Sequence, residues 1–586
     1  MKALPSVVER DDKVSWIKQD DGWTKDLTQV DKYYLSEEFT TQDIDELWQI
    51  HQDKRVMVSL NTPMGTGKTQ FLLRNLLPYA RENNLKVLII TGRKLLRDQI
   101  MVDYYNDKPH DKHINRHFVD IECYQKIASK LQSHSGYEEI KDKYDIIVVD
   151  EAHQLMLDAL FSFDNELVVE FLTELSNAMV WLVTATDDVV EPFVFRYTGF
   201  KARVTGKIDF SMLDSIVIGS ERQIVKQLEE EITPDTKVFN INSKLLTTKD
   251  GESGIPTALV EFFLDLSKDK EYSVGTLVGD NFIKSHKDDK MQEYVELIEQ
   301  LKSPILNKQM QCRILVASEV ARDGVEILDE RVDIIVTDFI CYDELMQSIN
   351  RVRNLANVKL YIVCHNKQAL GGKLRTLKNG YKHTIPMWDE WNEKGTTTLL
   401  DQYIEKRGRT TRPAKGLYRT DSGELKLRKA QLAKVVYTIS ILEHIVGLDY
   451  GYYMAHSQYI KALLKEYCNV DDSKFIILVE QLEEEHKQKR ADEAEQYILG
   501  RLCGRNEYFM TSKDEKIQLS MLVGSVNRDG KATWTPSAVN KCLVDLGLDF
   551  VIVQKQKKVN GSNKKGWLLQ RVNPLKEEED IEDIDE

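Results

Sequence analysis

A chain of 586 residues is too long to bury its apolar side chains in one core, so several domains are expected. The composition, 42% hydrophobic and 30% charged, is that of a globular protein, and no apolar run reaches the roughly 20 residues of a membrane span. A net charge of −15 does not suggest a general nucleic-acid coat protein, so any nucleic-acid site must be a local basic groove. The scattered cysteines form no CxxC pair, which indicates reduced thiols in the cytoplasm rather than a zinc site or a disulfide framework.

Two successive stretches alternate short β-rich runs with amphipathic helical patterns, as in parallel sheets covered by helices. In the first stretch, strands are predicted at residues 55–60, 86–91, 117–123, 145–150 and 181–184, and helices at 68–82 and 94–104. In the second, strands are predicted at 237–241, 273–278, 313–317, 332–337 and 359–364. The sequence therefore predicts an α/β fold with two tandem parallel-sheet lobes, joined around residues 205–232.

The last third of the chain shows a different pattern. Residues 395–505 are helix-like. Farther on, Thr535 is a good N-cap with Pro536 at the first helical position, which starts a helix to about Asp545. Strands predicted at 550–556 and 566–572 then flank a polar turn at 560–563. Helices followed by a hairpin are typical of a winged-helix-like domain.

The domain organisation follows from these patterns. Its predicted parts are an N-terminal segment (1–45), a first lobe (46–204), a second lobe (205–368), a mainly helical accessory domain (369–510), a winged-helix-like domain (511–573) and an acidic disordered tail (574–586). The acidic run at 577–586 predicts a solvated tail, with docking to a basic partner as the alternative.

A phosphate-binding loop is predicted at residues 62–69, which read TPMGTGKT between a strand and a helix. Glycines let backbone N–H groups surround phosphate oxygens at a helix N-terminus, where the helix dipole also favours anions. Lys68 would reach the β- and γ-phosphates, and the hydroxyl of Thr69 would bind Mg²⁺. The residues expected to contact the nucleotide in this loop are Met64, Gly65, Thr66, Gly67, Lys68 and Thr69.

Two adjacent carboxylates, Asp150 and Glu151, end the apolar strand predicted at 145–150. Ligands of parallel α/β sheets bind at this carboxyl edge. Asp150 is therefore a candidate Mg²⁺ ligand, and Glu151 is a candidate base that orients and deprotonates an attacking water.

These two motifs resemble motifs I and II of superfamily 2 helicases, in the DEAH spelling. The other motifs of that superfamily follow in order: Thr91, Arg93 and Lys94 resemble motif Ia, Tyr124 a neighbouring contact motif, Thr184 and Thr186 motif III, Ser318, Gly324 and Glu326 motif V, and Gln347, Arg351 and Arg353 motif VI. The resemblance implies two RecA-like lobes that close over ATP and Mg²⁺.

The resemblance also implies roles for these residues. Nucleic-acid contacts are implied for Thr91, Arg93, Lys94, Tyr124 and Ser318, nucleotide contacts for Gly324 and Glu326, and coupling of nucleotide state to strand binding for His153, Thr184, Thr186 and Gln347. Arg351, with Arg353 as second candidate, would stabilise the charge that develops on the γ-phosphoryl oxygens, where Lys68 and Glu151 also act.

The sequence departs from the usual motif spellings at several positions. Thr62 and Asn350 stand where glycine is usual, Asp323 stands where many relatives have arginine, and Glu326 stands where they have aspartate. The Arg-x-Arg spelling is similar to that of herpesvirus-type origin-binding helicases and their phage relatives. The expected location is the cytoplasm, which is the host cytoplasm if the chain is phage-encoded.

Two basic stretches lie outside these motifs. Residues 406–434 are rich in lysine, arginine and tyrosine, which suits a single nucleic-acid strand and equally a solvated linker. Lys557 and Lys558, in the predicted hairpin, are candidate nucleic-acid contacts, although winged helices also bind proteins.

The sequence thus predicts an ATP- and Mg²⁺-dependent helicase or translocase that acts on a DNA strand or fork in replication or recombination. A replication protein is a candidate partner of the acidic tail, and no membrane contact is expected. Two alternatives stay open: an ATP-switched origin-binding or remodelling protein without strand separation, and an RNA helicase.

Overall fold

The computed structural model describes residues 14–28, 34–63, 66–92, 118–160, 163–175, 177–185, 189–196, 199–206, 210–243, 245–249, 252–278, 292–301, 305, 309–318, 327–329, 331–352, 356–407, 413–420, 423–526, 532–559 and 562–572. The chain divides into two compact units, Met1–Ile477 and Leu478–Glu586. Among the described residues, no helix combines the length and apolar character needed to cross a membrane.

The first sheet has eight strands. They are β1 (Ile17–Lys18), β2 (Gly22–Asp26), β3 (Val56–Asn61), β4 (Val87–Thr91), β5 (Val119–Cys123), β6 (Ile146–Asp150), β7 (Met179–Thr184) and β8 (Phe200–Thr205). Their order is β1-β2-β8-β3-β7-β6-β4-β5, and all neighbours are parallel except β1 and β2. β4, β6 and β7 are buried along their whole length, which explains their unbroken apolar sequences.

Helices cover this sheet. Their bounds are Leu35–Glu38, Thr41–Asp53, Lys68–Phe71, Leu77–Glu82, Tyr124–Leu131, His134–Lys141, Gln154–Leu157, Asp164–Glu170 and Glu191–Arg196, with π-helical segments at Leu72–Leu76 and Phe171–Leu175 and a 3-10 turn at Asp158–Leu160. The helix predicted at 68–82 is thus interrupted by a π-helical segment, and the helix predicted at 94–104 lies outside the described residues.

The N-terminal segment, predicted as a separate part, belongs to this first lobe. β2 pairs in parallel with β8. Trp23 and Phe39 lie in the same buried cluster as Val58 of β3. The sequence did not reveal this association because β2 is short and its pairing partner, β8, follows some 180 residues later.

A second set of strands follows. They are β9 (Ser215–Gly219), β10 (Val238–Asn242), β11 (Leu246–Lys249), β12 (Glu252–Pro256), β13 (Val274–Leu277), β14 (Ile314–Ser318), β15 (Ile334–Thr337), β16 (Lys359–Val363), β17 (Leu417–Arg419), β18 (Leu425–Leu427) and β19 (Phe475–Ile477). Seven of them form an entirely parallel sheet in the order β13-β14-β10-β15-β16-β9-β19. β11 with β12, and β17 with β18, form antiparallel hairpins. The two predicted parallel-sheet lobes are therefore confirmed, and β9 falls where the linker was predicted.

The helices of the rest of the first unit are Glu221–Glu231, Ala258–Leu266, Gln292–Gln300, Tyr342–Ile349, Lys367–Gly380, Ile385–Lys394, Thr398–Arg407, Lys429–Gly447 and Met454–Cys468, with a 3-10 turn at Asp472–Lys474. The helices after residue 367 share the cores of the lobes. Trp388 and Leu432 lie in one cluster with Leu88 of the first sheet, whereas Leu442 and Ile460 lie in one cluster with Ile335 of the second.

The second unit is built from helix Val479–Leu502, strand β20 (Glu507–Met510), helices Lys513–Leu522 and Pro536–Asp545, and strands β21 (Phe550–Val559) and β22 (Ser562–Arg571). The strands form an antiparallel sheet in the order β20-β22-β21. The Thr535 side chain accepts a hydrogen bond from the backbone N–H of Ala538, as expected of its N-cap. Val559 pairs with Ser562, so the hairpin strands run farther than predicted and leave two residues between them.

The predicted accessory domain, 369–510, is consequently divided between other parts of the structure. Its first helices and β19 complete the two lobes, while helix Val479–Leu502 contributes Ala494, Ile498 and Leu502 to the core of the second unit. Apolar periodicity reveals the buried face of a helix, but it does not reveal which core receives that face.

Candidate nucleotide-binding site

Three strands of the first sheet end side by side where the nucleotide site is predicted. β7 lies between β3 and β6, with Thr184 paired to Asn61 and Val183 paired to Asp150. The backbone N–H of Thr62 donates to the carbonyl of Thr184 over 3.2 Å. The predicted phosphate loop therefore starts one strand away from the predicted carboxylate pair, at the edge where parallel sheets bind ligands.

The phosphate loop turns into its helix through Gly67, the N-cap of helix Lys68–Phe71, whose φ of 81° is in the left-handed region. Glycine adopts this conformation without the steric cost that a Cβ imposes. The ammonium of Lys68 donates to the carbonyls of Thr62 (2.6 Å) and Pro63 (2.9 Å). Its charge is thus held within the loop, where phosphate oxygens would compete with these carbonyls. Met64 and Gly65 lie outside the described residues.

The carboxylate pair follows β6. Asp150 is 8% exposed. Burial, together with the neighbouring Glu151 charge, raises the pKa of Asp150 to about 7, and the Lys68 ammonium acts in the opposite direction. Glu151 has a φ of 53°, a left-handed conformation that is costly for a residue with a Cβ. The chain thus turns sharply at the end of β6 and leaves two adjacent carboxylates beside the phosphate loop.

The residues at this edge fit a magnesium ion. Asp150 and the half-buried Thr69 supply the oxygen donors that Mg²⁺ prefers. A bound cation would relieve the charge that burial disfavours on Asp150. Within the described ranges, no cluster of three or more His, Cys, Asp and Glu side chains could hold a metal alone. One protein carboxylate completed by nucleotide phosphates and water is the usual arrangement for Mg²⁺.

The predicted coupling residues His153 and Thr184 are in contact. His153 is fully buried, and its Nδ1 lies 2.8 Å from Oγ1 of Thr184. The same nitrogen lies 3.6 Å from Oε2 of Glu151. The loop after β6 and the end of β7 are therefore connected by a side-chain hydrogen bond next to the candidate base. Thr186 lies outside the described residues.

Two residues that are predicted to contact nucleic acid have buried side chains. Thr91, at the end of β4, is fully buried. Tyr124 is 1% exposed, and its hydroxyl donates to the backbone carbonyls of Asp150 (3.1 Å) and Glu151 (3.4 Å). The contact of these two residues with nucleic acid stays a prediction. Through these two hydrogen bonds, Tyr124 holds the main chain of the carboxylate pair in place. No local pattern in the sequence indicates this contact.

Gly92 is a further position that the motif comparison did not explain. A Cβ there would lie 2.0 Å from Oε1 of Gln154, the residue after His153. A larger residue at position 92 would therefore have to displace the Gln154 side chain, where the end of β4 meets the helix that follows motif II. Arg93 and Lys94, the remaining predicted contacts of motif Ia, lie outside the described residues.

The second lobe contains the other predicted residues. Gln347 is 1% exposed within helix Tyr342–Ile349, and Arg351 is 7% exposed just beyond it. The backbone carbonyl of Arg351 accepts a hydrogen bond from the N–H of Ile327 over 2.8 Å. Ser318 ends β14 and is 8% exposed. Gly324, Glu326 and Arg353 lie outside the described residues, so their roles, like that of Arg351, stay predictions.

In the second unit, the predicted contacts Lys557 and Lys558 lie on β21. Lys557 donates to Oε1 of Glu507 on β20 over 2.6 Å, and 40% of its side chain is exposed. Lys558 is exposed. Both ammonium groups are accessible on the hairpin.

Comparisons with known proteins agree with this geometry. The family model described as "Type III restriction enzyme, res subunit" matches residues 32–188, which include the phosphate loop, the carboxylate pair and Thr184. A comparison with curated protein sequences finds no significant match. The matched range lies within the first lobe, so the likeness to this family concerns that lobe and the nucleotide site that it contains.

Solved structures with some similarity include the DEAD-box helicase Mss116 bound to ssRNA and UDP-BeF (16% identity, TM-score 0.37, 58% of this chain and 72% of that chain). The Mycobacterium smegmatis helicase Lhr bound to ssDNA and AMP-PNP gives 14% identity and a TM-score of 0.34, with 58% of this chain and 47% of that chain covered. The S. cerevisiae Dbp5 bound to RNA and ADP BeF3 gives 14% identity and a TM-score of 0.36, with 54% of this chain and 81% of that chain covered. These values are too low to support an inference about activity.

Proposed function

We propose that the protein is an ATP- and Mg²⁺-dependent motor that moves along a DNA strand and separates duplexes, in replication or recombination. The observation that carries this proposal is the contact network at one sheet edge. The Lys68 loop and the pair Asp150–Glu151 flank the end of β7, and His153 joins that pair to Thr184.

The residues of this edge, together with Arg351 of the second lobe, have distinct tasks. Lys68 would bind the β- and γ-phosphates, and Thr69 and Asp150 would hold the metal ion. When bound, Mg²⁺-ATP supplies the transferable phosphoryl group and a cation that neutralises its charge. Glu151 orients the attacking water and accepts its proton, for which a carboxylate beside the phosphate loop is suited. Arg351 of the second lobe stabilises the charge that develops on the phosphoryl oxygens.

Support for DNA as the track comes from the second unit. Its order of helix, strand, two helices and hairpin supports the predicted winged-helix-like domain, and Lys557 and Lys558 are accessible on the hairpin. Lysines on such a hairpin contact phosphates without reading the base sequence. A winged-helix contact with duplex DNA would hold the fork while the lobes move along one strand.

The test is steady-state ATP hydrolysis with Mg²⁺, without polymer and then with single-stranded DNA, duplex DNA or RNA. We expect single-stranded DNA to stimulate the rate strongly, and Glu151→Gln to lower it by about 10²-fold or more because the base is lost. Strand displacement on a forked DNA duplex would accompany hydrolysis.

Other outcomes point to other functions. Stimulation by RNA alone would identify an RNA helicase. Stimulation by DNA without strand displacement would identify a remodeller that uses ATP as a switch. A rate that no polymer changes would refute the motor proposal.

A further inference from the structure

One helix is buried by both lobes of the first unit. The N-terminal half of helix Lys429–Gly447 places Leu432 and Val435 in the core that contains Leu88 of the first sheet. Its C-terminal half places Leu442 and Ile445 in the core that contains Ile335 of the second sheet. The helix therefore spans the two lobes as one continuous element of 19 residues.

The start of this helix is held by the first lobe. Its own N-cap residue, Arg428, provides no capping hydrogen bond. Instead, Glu166 accepts from the backbone N–H groups of Ala430 (2.9 Å, Oε2) and Gln431 (2.8 Å, Oε1). These N–H groups have no partner within a helix, and a carboxylate there also complements the helix dipole. The first lobe thus caps the helix through a residue 264 positions away from Ala430.

Glu166 is 4% exposed, and its neighbour in the chain is hydrogen-bonded to the helix that follows motif II. Burial raises the pKa of its carboxyl to about 7, while the two backbone N–H groups and the charges of Arg428 and Lys429 lower it. The preceding residue, Asn165, donates a side-chain hydrogen bond to the backbone carbonyl of Leu155 over 2.9 Å. Leu155 belongs to the helix that directly follows His153. The cap is therefore attached to the segment that carries the candidate base.

One helical turn farther on, the same helix is held by the second lobe. Lys434 is 5% exposed, and its ammonium lies 2.8 Å from Oε1 of Glu344 and 3.8 Å from Sγ of Cys341. Glu344 belongs to helix Tyr342–Ile349, which contains Gln347 and ends two residues before Arg351. Separating this buried ion pair would leave an unpaired charge in the protein interior, so the pair holds the helix firmly to the second lobe.

We propose that helix Lys429–Gly447 is a strut that transmits the state of the carboxylate pair in the first lobe to the Arg351 segment in the second, with Glu166 and Lys434 as positioning residues. The two attachment points are four residues apart, about 6 Å along a helix, so the path between the lobes is short and stiff. The inference deepens the proposed function and rests on it only for its kinetic consequence.

The chain offers a matched control for the variants of this strut. Glu170 accepts from Lys426 over 2.7 Å and from the hydroxyl of Tyr418 over 3.3 Å. This ion pair also joins helix Asp164–Glu170 to the later chain, but it reaches β17 and β18 rather than the strut. Glu170→Gln therefore removes a comparable charge and contact from the same helix without loosening the strut.

The first experiment is hydrogen exchange on the full-length protein without nucleotide, which does not depend on the proposed function. In Glu166→Gln, we expect faster exchange of the backbone N–H groups in helix Tyr342–Ile349, although the substitution is in the other lobe. Lys434→Met should in turn speed exchange in helix Asp164–Glu170, and Glu170→Gln should leave helix Tyr342–Ile349 as in the wild type. If the hydrogen-exchange rates change only in the lobe that carries the substitution, the proposal is overturned.

The second experiment measures DNA-stimulated ATP hydrolysis. Glu166→Gln and Lys434→Met should each lower kcat roughly two- to thirty-fold with little change of KM for ATP, and the double variant should be no worse than the poorer single variant because both interrupt one path. Strictly multiplicative losses, or an equal loss in Glu170→Gln, would contradict the strut. If DNA does not stimulate ATP hydrolysis by the wild type, the motor proposal is refuted. The strut proposal would then be judged by the hydrogen-exchange experiment alone.

Discussion

Nδ1 of His153 lies 2.8 Å from Oγ1 of Thr184, which places a direct hydrogen bond between the loop that follows β6 and the end of β7. Both side chains are fully buried. The backbone carbonyl of the same threonine receives the N–H of Thr62, where the phosphate loop begins. Thr184 of β7 thus contacts both the phosphate loop and the segment that follows the carboxylate pair. We expect a displacement of one of them to be transmitted to the other through Thr184.

Thr184→Val keeps the shape of this side chain and removes its hydroxyl. We expect polymer-stimulated ATP hydrolysis to fall more than basal hydrolysis, and the free energy of unfolding to drop by about 1–3 kcal/mol because the buried His153 nitrogen loses its partner. Thr184→Ser, which keeps the hydroxyl, is the control. Equal losses of stimulation in the two variants would show that the hydrogen bond does not matter.

Tyr124→Phe tests whether Tyr124 supports the carboxylate pair or contacts nucleic acid. The hydroxyl that donates to Asp150 and Glu151 is lost, so we expect a loss of about 1 kcal/mol in unfolding free energy and reduced hydrolysis by the misplaced carboxylates. Binding of labelled single-stranded DNA in the absence of ATP should be unchanged. Weakened DNA binding with normal hydrolysis would instead support a nucleic-acid contact.

Lys68→Met tests the phosphate loop. The ammonium that bridges the carbonyls of Thr62 and Pro63 is removed while most of the apolar stem is retained. We expect the affinity for a fluorescent ATP analogue to fall by roughly tenfold or more, since a charge-assisted contact to phosphate contributes about 1.5–3 kcal/mol. Lys54→Met, at the exposed end of helix Thr41–Asp53, should bind the analogue as the wild type does. Unaltered affinity in Lys68→Met would remove this lysine from the site.

Acid should destabilise the second lobe through His456. This ring is fully buried, and its Nδ1 accepts the backbone N–H of His365 over 2.9 Å, which requires the neutral form. Burial, followed by the charges of His365 and Lys373, lowers the pKa of His456 well below the ordinary 6.5. Its contribution to stability is therefore fully present above about pH 6.5 and decreases as the pH falls toward the lowered pKa.

The measurement is thermal unfolding between pH 7.5 and pH 5, chosen to bracket a histidine pKa of about 6.5. The wild-type Tm should fall over this range, and His456→Asn, whose amide oxygen can still accept the N–H of His365, should show a shallower fall. Parallel curves would contradict the assignment of this pH dependence to His456.

The motifs could be placed from sequence because they are local. A strand, a glycine-containing loop and a helix start follow one another within residues 56–71, and the apolar run ending in Asp150 and Glu151 needs no distant partner to be recognised. All ten strands predicted in the two lobes have counterparts within a few residues. Strands such as β4, β6 and β7 are covered on both faces and are apolar throughout, whereas β5 at the sheet edge alternates buried and half-buried residues.

Only the tertiary structure decided which side chains of the motifs are buried and which distant residues they contact. Local sequence predicted the polar groups Thr91 and Tyr124 at strand ends, but their burial depends on helices that pack over them from elsewhere in the chain. The partners Glu166 and Ala430 are 264 residues apart, and Lys434 and Glu344 are 90 residues apart, so no periodicity connects them. Sequence by itself determined which residues are candidates to bind phosphate and metal, because that depends on side-chain chemistry and local turns. Which element supports them was decided by packing between distant segments, because burial and long-range hydrogen bonds exist only in the folded chain.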